Sequence, residues 1–406
     1  MHHQPIRLAP LVPLAPLVPL AVALALPLLM VRASAFDLNS LLPSVSGANA
    51  QASSEAIAEY RRKLKDYLDA RNAFEQEAGA YWNDIADKRR GRNAKRRAHE
   101  QITLDDYVLS QPPVYSGPKR PVNPAPETEP GPPPRERKHI PVVADLLRAA
   151  SDCFQWAPQR PSTEIEFKRA YARFATQTGL TREQAVRVYS FETGGDGRSD
   201  SQSGLIHGSH AVSTAIGYNQ LLTTNTVELL AEQGPDFIKI LAQRAAGFSG
   251  PARPTMEHKL AVLRKMVALA RSVPDDWSQH EKIGDSPQGW AMHAMVLDID
   301  VGPMLQTHKL MTSVIFARER GFTRPLTAAE LEMMNLTGDG TGLDMVTMPQ
   351  AMREQVPTSN FFQRGGYERN PVAIRHNTVA KLLAVTDARM DENSRQPGAK
   401  ELAAAF

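Results

Sequence analysis

The 406-residue chain carries a single cysteine, Cys153. No internal disulfide can form, so an exported domain of this sequence has to be held together by its core. Cys153 lies beside Phe154 and Trp156 with no activating base nearby in sequence, which reads as a small buried hydrophobe rather than a nucleophile. Charge is nearly balanced at +3, so no affinity for nucleic acid follows from the total. The histidines from His207 to His376 show no HExxH or paired ligand spacing, and Asp339/Asp344 and Asp196/Asp200/Gln202 miss the spacing of a calcium loop. No metal is expected. There is no G-x-S-x-G and no G-x-x-x-x-G-K-[ST], which leaves acyl hydrolysis and nucleotide hydrolysis without support. Strand-like alternation is also scarce.

What is present begins with a segment that reads as an export signal, residues 1–35. Arg7 is followed by an apolar run from Leu8 to Met30 and by Ala33-Ser34-Ala35, an A-x-A cleavage pattern. Prolines at 10, 13, 16, 19 and 27 argue against a stable membrane-spanning helix there. No cysteine follows the run, which excludes a lipid anchor of the lipoprotein type. The expected location is periplasmic or secreted after removal of the signal, with membrane anchoring by an uncleaved signal as the lesser alternative.

Residues 36–110 form an N-terminal helical and basic segment. Ile57, Tyr60, Leu64, Tyr67, Phe74, Ala78, Tyr81 and Ile85 alternate by threes and fours, with Arg71 breaking one position. Such a stripe packs on itself, on an envelope protein partner, or back on the main domain. It runs into KRRGRNAKRR, Lys88 to Arg97, which either touches anionic envelope polymers or is a solvated helix end. QITLDDYVLS reads as a short ordered segment. Residues 111–138 are proline-rich and predict a semi-rigid extended spacer.

From 139 to 395 the pattern is helical throughout, with periodic segments at Ile165–Thr178, Thr226–Gln233, Met256–Ser272, Gly302–Arg320, Ala328–Met334 and Asn377–Met390. This predicts an all-α domain large enough to bury a core. Residues 396–406 are expected as a flexible tail.

One stretch of the main domain carries chemistry. Thr181 followed by Gln184 is a capping box, and Ala185, Val188 and Tyr189 mark one helical face. Continued one turn, that face lands on Glu192, just before the Gly194-Gly195 stop. A carboxyl at the end of an apolar stripe is pushed toward its protonated form by burial and by the helix dipole. That is what a general acid for glycosidic cleavage needs. The alternative is a carboxylate that frays into solvent. After a polar loop, a second helix is expected to open around Gly217 and Gln220. Further on, TAAELEMMNLTGDGTG predicts a capped short helix ending at Asn335 and a glycine-rich turn.

Together, Phe191-Glu192-Thr193-Gly194-Gly195, Ala215-Ile216-Gly217-Tyr218-Asn219-Gln220-Leu221-Leu222 with Thr223-Thr224, and Met334-Asn335-Leu336-Thr337-Gly338 resemble the catalytic domain of the lytic transglycosylases of the goose-type-lysozyme-like superfamily. That family carries a glutamate followed by Ser or Thr and Gly or Ala, a G-L-M-Q segment, and later A-Y-N-x-G. The resemblance implies a lysozyme-like helical domain, peptidoglycan glycan strands as partner, and no cofactor. It implies Glu192 as the catalytic residue and Thr193, Ser209, Gly217, Tyr218, Gln220 and Asn335 as substrate-binding residues.

The chain also departs from that pattern. The stretch from Glu192 to Gln220 is longer, which leaves Ser201, Ser203, Ser209 and Ser213 as candidates for the family's serine. Met334 stands in the tyrosine slot, with Tyr218 or Tyr367 as possible replacements. Arg353–Pro371 has no counterpart; its Phe361, Phe362 and Tyr367 either stack on sugars or cap the core. Two other functions fit as well. One is a hydrolytic muramidase using Asp196 or Asp200 as second carboxylate; the other is an inactive glycan-binding or scaffold protein.

Overall fold

A computed structural model describes residues 53–124, 138–205 and 210–406. The expected signal segment 1–35, Ser209, His207 and the second half of the proline-rich stretch lie outside the described residues. Among these residues the protein is all-α: sixteen α-helices, three short 3-10 turns and isolated bridges in place of strands. No helix among them is long and apolar enough to cross a membrane.

The longest helix, α1 (Ser54–Arg97), begins at the Ser53 cap. Its buried residues Leu64, Ala78, Ile85 and Arg92 recur at multiples of seven, the period of the predicted stripe. Arg71 does not interrupt the stripe, because its guanidinium lies 5.0 Å from the Phe74 ring centroid and 5.1 Å from that of Tyr115. Tyr115 thereby tethers the first half of the expected spacer to α1, although most of residues 111–124 stay exposed. The basic run is largely consumed internally. Arg92 is fully buried against Asp344 and over Tyr107, and Arg89 donates to the carbonyls of Asn360 and Phe362 at 3.0 and 2.9 Å. Lys95 pairs with Asp106, and Arg96 with Asp344.

The main body contains three apolar clusters. The first joins α2 (Val143–Phe154), α5 (Thr223–Ala246), α6 (Ala252–Ala270), α7 (Trp277–Gly284), α8 (Pro287–His293) and the start of α9 (Gly302–Glu319). α5 runs well past the Gln233 end expected from Gly234-Pro235. A Cβ on Gly234 would fall 2.5 Å from Val267 of α6, so the glycine permits a close helix crossing that packing enforces despite the proline.

The second cluster holds the candidate site. It packs α3 (Glu164–Thr178), α4 (Arg182–Thr193), the outer part of α9, α10 (Ala328–Thr337), α11 (Asp339–Thr347) and the chain end. The third, through α12 (Gln350–Arg353), α13 (Arg364–Glu368), α14 (Pro371–Arg375) and α15 (Val379–Asn393), buries Phe361, Phe362 and Tyr367 together with Tyr107. Trp82 of α1 packs on Tyr367, and Asn360 bonds both backbone groups of Val108. The stretch with no family counterpart is therefore the seat of the N-terminal segment, and its aromatic residues are core.

The expected flexible tail is instead helix α16 (Pro397–Ala405). Pro397 starts it, Ala399 and Leu402 are fully buried, and Glu401 pairs with the buried Lys168 at 2.5 Å. Three-residue spacing on an apolar face gives so short a helix its place.

Candidate functional site

α4 starts at the predicted capping box: the Gln184 backbone N–H donates to the Thr181 hydroxyl at 3.1 Å, and the Thr181 backbone N–H donates to the Gln184 side-chain oxygen at 3.0 Å. Ala185, Val188 and Tyr189 are fully buried, and the helix stops at Gly194 in the left-handed region (φ 70°). Glu192 occupies the last turn on the buried face. α10 crosses α4 there, and Asn335 Nδ2 donates to Glu192 Oε1 at 2.9 Å across 143 residues of sequence. Burial pushes the Glu192 carboxyl up to about 7, although hydrogen bonds from Glu332 and Asn335 and the charge of Lys309 pull the other way.

Glu332 was not singled out by the sequence, although it lies three residues before Asn335, a spacing that puts both on one helical face. It is 1% exposed and its carboxyl is in hydrogen-bond contact with that of Glu192. Burial, and then repulsion by Glu192, drive it well above the usual carboxylate range. The neighbouring Glu330 contrasts with it: two Arg324 nitrogens hold it at 2.6 and 2.7 Å, and it caps α10 through the Thr327 N–H. Lys309 of α9 acts electrostatically on Glu192, Glu332, Glu228, Glu232 and Asp339. Carboxyls from four helices thus lie within the electrostatic reach of one ammonium.

The other predicted residues that the structure describes make their contacts within the fold. Thr193 donates to the Tyr189 carbonyl at 2.8 Å and accepts from the Gly195 N–H at 3.1 Å, closing the end of α4. Residues 216–221 form a tight closed turn, not the start of a helix: Ile216 and Leu221 exchange two backbone bonds of 3.0 Å, and α5 opens at Thr223. Gly217 takes φ 84° with Gln306 seated where a Cβ would be. Gln220, at φ 44°, spends its amide on the carbonyls of Ser201 and Gly217.

Tyr218, expected against substrate, is fully buried. Its ring packs edge-on to Phe167, Tyr171 and Tyr189, and its hydroxyl donates to Glu164 at 2.6 Å. A side chain enclosed on every face cannot position a sugar. Tyr367, the other proposed replacement, is only 5% exposed. No hydrogen bond among the described residues joins the Gly217–Gln220 turn to Glu192. Of the two further carboxylates considered, Asp200 pairs with Arg160 at 2.7 Å. Asp196 accepts from the Arg198 N–H and the Ser201 hydroxyl at 3.0 Å each.

What the arrangement offers chemically is one partly open carboxyl poised to give and take a proton near neutrality, held by an amide and a second, enclosed carboxyl. Among the described residues no three His, Cys, Asp or Glu side chains gather as metal ligands would. No protein-family model matches the chain, and no curated protein or solved structure is significantly similar to it.

Proposed function

We propose that the protein is an exported peptidoglycan lytic transglycosylase with Glu192 as its general acid and base. The observation that carries this reading is the 2.9 Å hydrogen bond between Asn335 and Glu192. Two positions singled out by separate motifs meet at a carboxyl with the proton affinity the reaction needs.

Glu192, protonated, gives its proton to the oxygen linking N-acetylmuramic acid to N-acetylglucosamine as that bond to the anomeric carbon breaks. The resulting carboxylate takes the proton of the muramyl C6 hydroxyl as its oxygen closes on the same carbon. The product is a 1,6-anhydro end, and one carboxylate suffices because the nucleophile belongs to the substrate. A hydrolytic muramidase needs a second carboxylate about 5 Å away for retention or about 6.5–9.5 Å for inversion. Asp196 and Asp200 are committed to other partners, and Glu332 is enclosed and interacts with Glu192 itself. Burial of both Tyr218 and Tyr367 favours a second reading, a glycan-binding protein without turnover, because no replacement hydroxyl reaches the sugar.

Purified sacculi decide between them. The wild type should release products ending in anhydro-muramyl groups, and Glu192→Gln should lower the rate by at least about 10²-fold. Reducing ends would establish hydrolysis. Equal, negligible release by both proteins with retained glycan binding would establish the binder. Activity that depends on protonated Glu192 should fall as pH rises through about 7.

A further inference from the structure

The packing that encloses Glu192 also brings against it a carboxyl that the reaction above does not use. Glu332 and Asn335 lie one turn apart on α10, and both reach Glu192. Glu332 is 1% exposed, and its Oε2 has no hydrogen-bond partner among the described residues. Two like charges in a place that little water screens repel each other strongly. A pair in direct contact, screened by little water, therefore keeps at least one proton.

The surroundings decide which member keeps it. The Asn335 amide serves both carboxyls, but Glu192 is partly open, whereas Glu332 is sealed and has no guanidinium of its own, unlike Glu330 beside it. From α9, Lys309 faces the pair, but it also faces Glu228 and Glu232 of α5 and Asp339 of α11. From α15, Asp387 and Asp391 are held by Arg187, and Arg389 lies over the Phe191 ring. Among the described residues no Lys or Arg forms an ion pair with Glu332, and the charge of Lys309 is shared with four other carboxyls.

We propose that Glu332 is a permanently neutral carboxylic acid that donates its O–H to Glu192, a positioning residue for the catalytic acid. The inference rests on the reading of Glu192 given above. Its proton accounting is closed. Glu192 transfers its proton to the leaving oxygen, and the new carboxylate is held by the Glu332 O–H and the Asn335 N–H. The C6 hydroxyl then returns a proton to Glu192, and the proton on Glu332 never leaves. This is the use of a carboxyl kept neutral by an apolar site so that it can act as a donor.

Infrared difference spectroscopy of the full-length protein tests the protonation state without any glycan. At a pH well above the Glu192 transition, the wild type should still show the carbonyl stretch of a protonated carboxyl, and Glu332→Gln should lack it. Absence of that band in the wild type overturns the proposal, whatever the sacculus assays give.

Kinetics test the positioning role. Glu332→Gln keeps a neutral donor and should leave the descending limb of the pH–rate profile in place. Glu332→Leu removes the donor, weakens the hold on the Glu192 carboxylate and should move that limb up by about one pH unit. A Glu332→Gln variant that folds but is as inactive as Glu192→Gln would make Glu332 a charged catalytic partner and overturn the proposal. If Glu192→Gln digests sacculi normally, the transglycosylase reading fails, and the infrared result still decides the state of Glu332.

Discussion

Gly217 illustrates how a motif residue can matter without touching a ligand. Its φ of 84° lies where only glycine rests without strain, and Gln306 occupies the space a Cβ would need. Gln306 is itself fully buried, and it accepts from the Asn219 N–H at 2.9 Å while its carbonyl accepts from the Asn219 amide at 2.6 Å. Gly217→Ala should therefore combine backbone strain with overpacking and cost about 2–4 kcal/mol. Urea denaturation should show a lower midpoint at an unchanged slope; an unaltered midpoint would mean the turn yields easily. The sequence marked the turn as important, but the direction of its side chains depends on two successive kinds of left-handed geometry that no periodicity reveals. For that reason Tyr218 was expected to face substrate and lies in the core. Glu192 was legible because a regular helix fixes its phase from Ala185 onward.

At the level of elements, most of the longer helices could be read from period and punctuation, with ends displaced by a few residues except in α5, whereas the short helices could not. α4 and α10 carry explicit capping boxes, and those local signals survive any packing. Glu332 could not be chosen from Glu330 in advance, because only the crossing of α10 on α4 decides which glutamate meets Glu192. The chain end was misjudged for the opposite reason, since a short helix has too few residues to announce an apolar face. α16 nevertheless supports the site. Gly398 sits against Gly195 and Gly197, the loop that follows Glu192, with no space for a Cβ. Asn393, just before α16, donates to the Ser190 carbonyl at 2.9 Å. Gly398→Val should displace that loop, destabilise the fold by about 1–3 kcal/mol and reduce activity on sacculi further than the loss of folded protein explains. Lys400→Ala, an exposed change on the same helix, should alter neither melting temperature nor activity.

The molecule as a whole is joined by buried polar groups between its apolar clusters. Composition announced a helical core but not these joints, because each needs partners far apart in the chain. Arg92 links α1 to Asp344, and Lys259 meets Asp298 at 2.9 Å and Asp300 at 2.5 Å near the start of α9. His293 links the loop before α5 to α5 itself. Its Nε2–H donates to the Thr214 carbonyl at 2.9 Å, so Nδ1 is left to accept from the Thr226 hydroxyl at 2.7 Å. Protonating Nδ1 would break the second bond in a fully buried place, and burial accordingly lowers this histidine to about 4 from an ordinary 6.5. Between those values the unfolded chain binds the proton more tightly than the folded one. The contribution is thus complete above pH 6.5 and is lost as pH falls toward about 4, reaching about 3 kcal/mol at 1.36 kcal/mol per unit. The half-buried His308, lowered for the same reason, adds to the effect with the same sign. Urea midpoints measured across this range should fall steeply for the wild type and less steeply for His293→Gln, which has no proton to gain. Parallel curves for the two proteins would place the acid sensitivity at another joint.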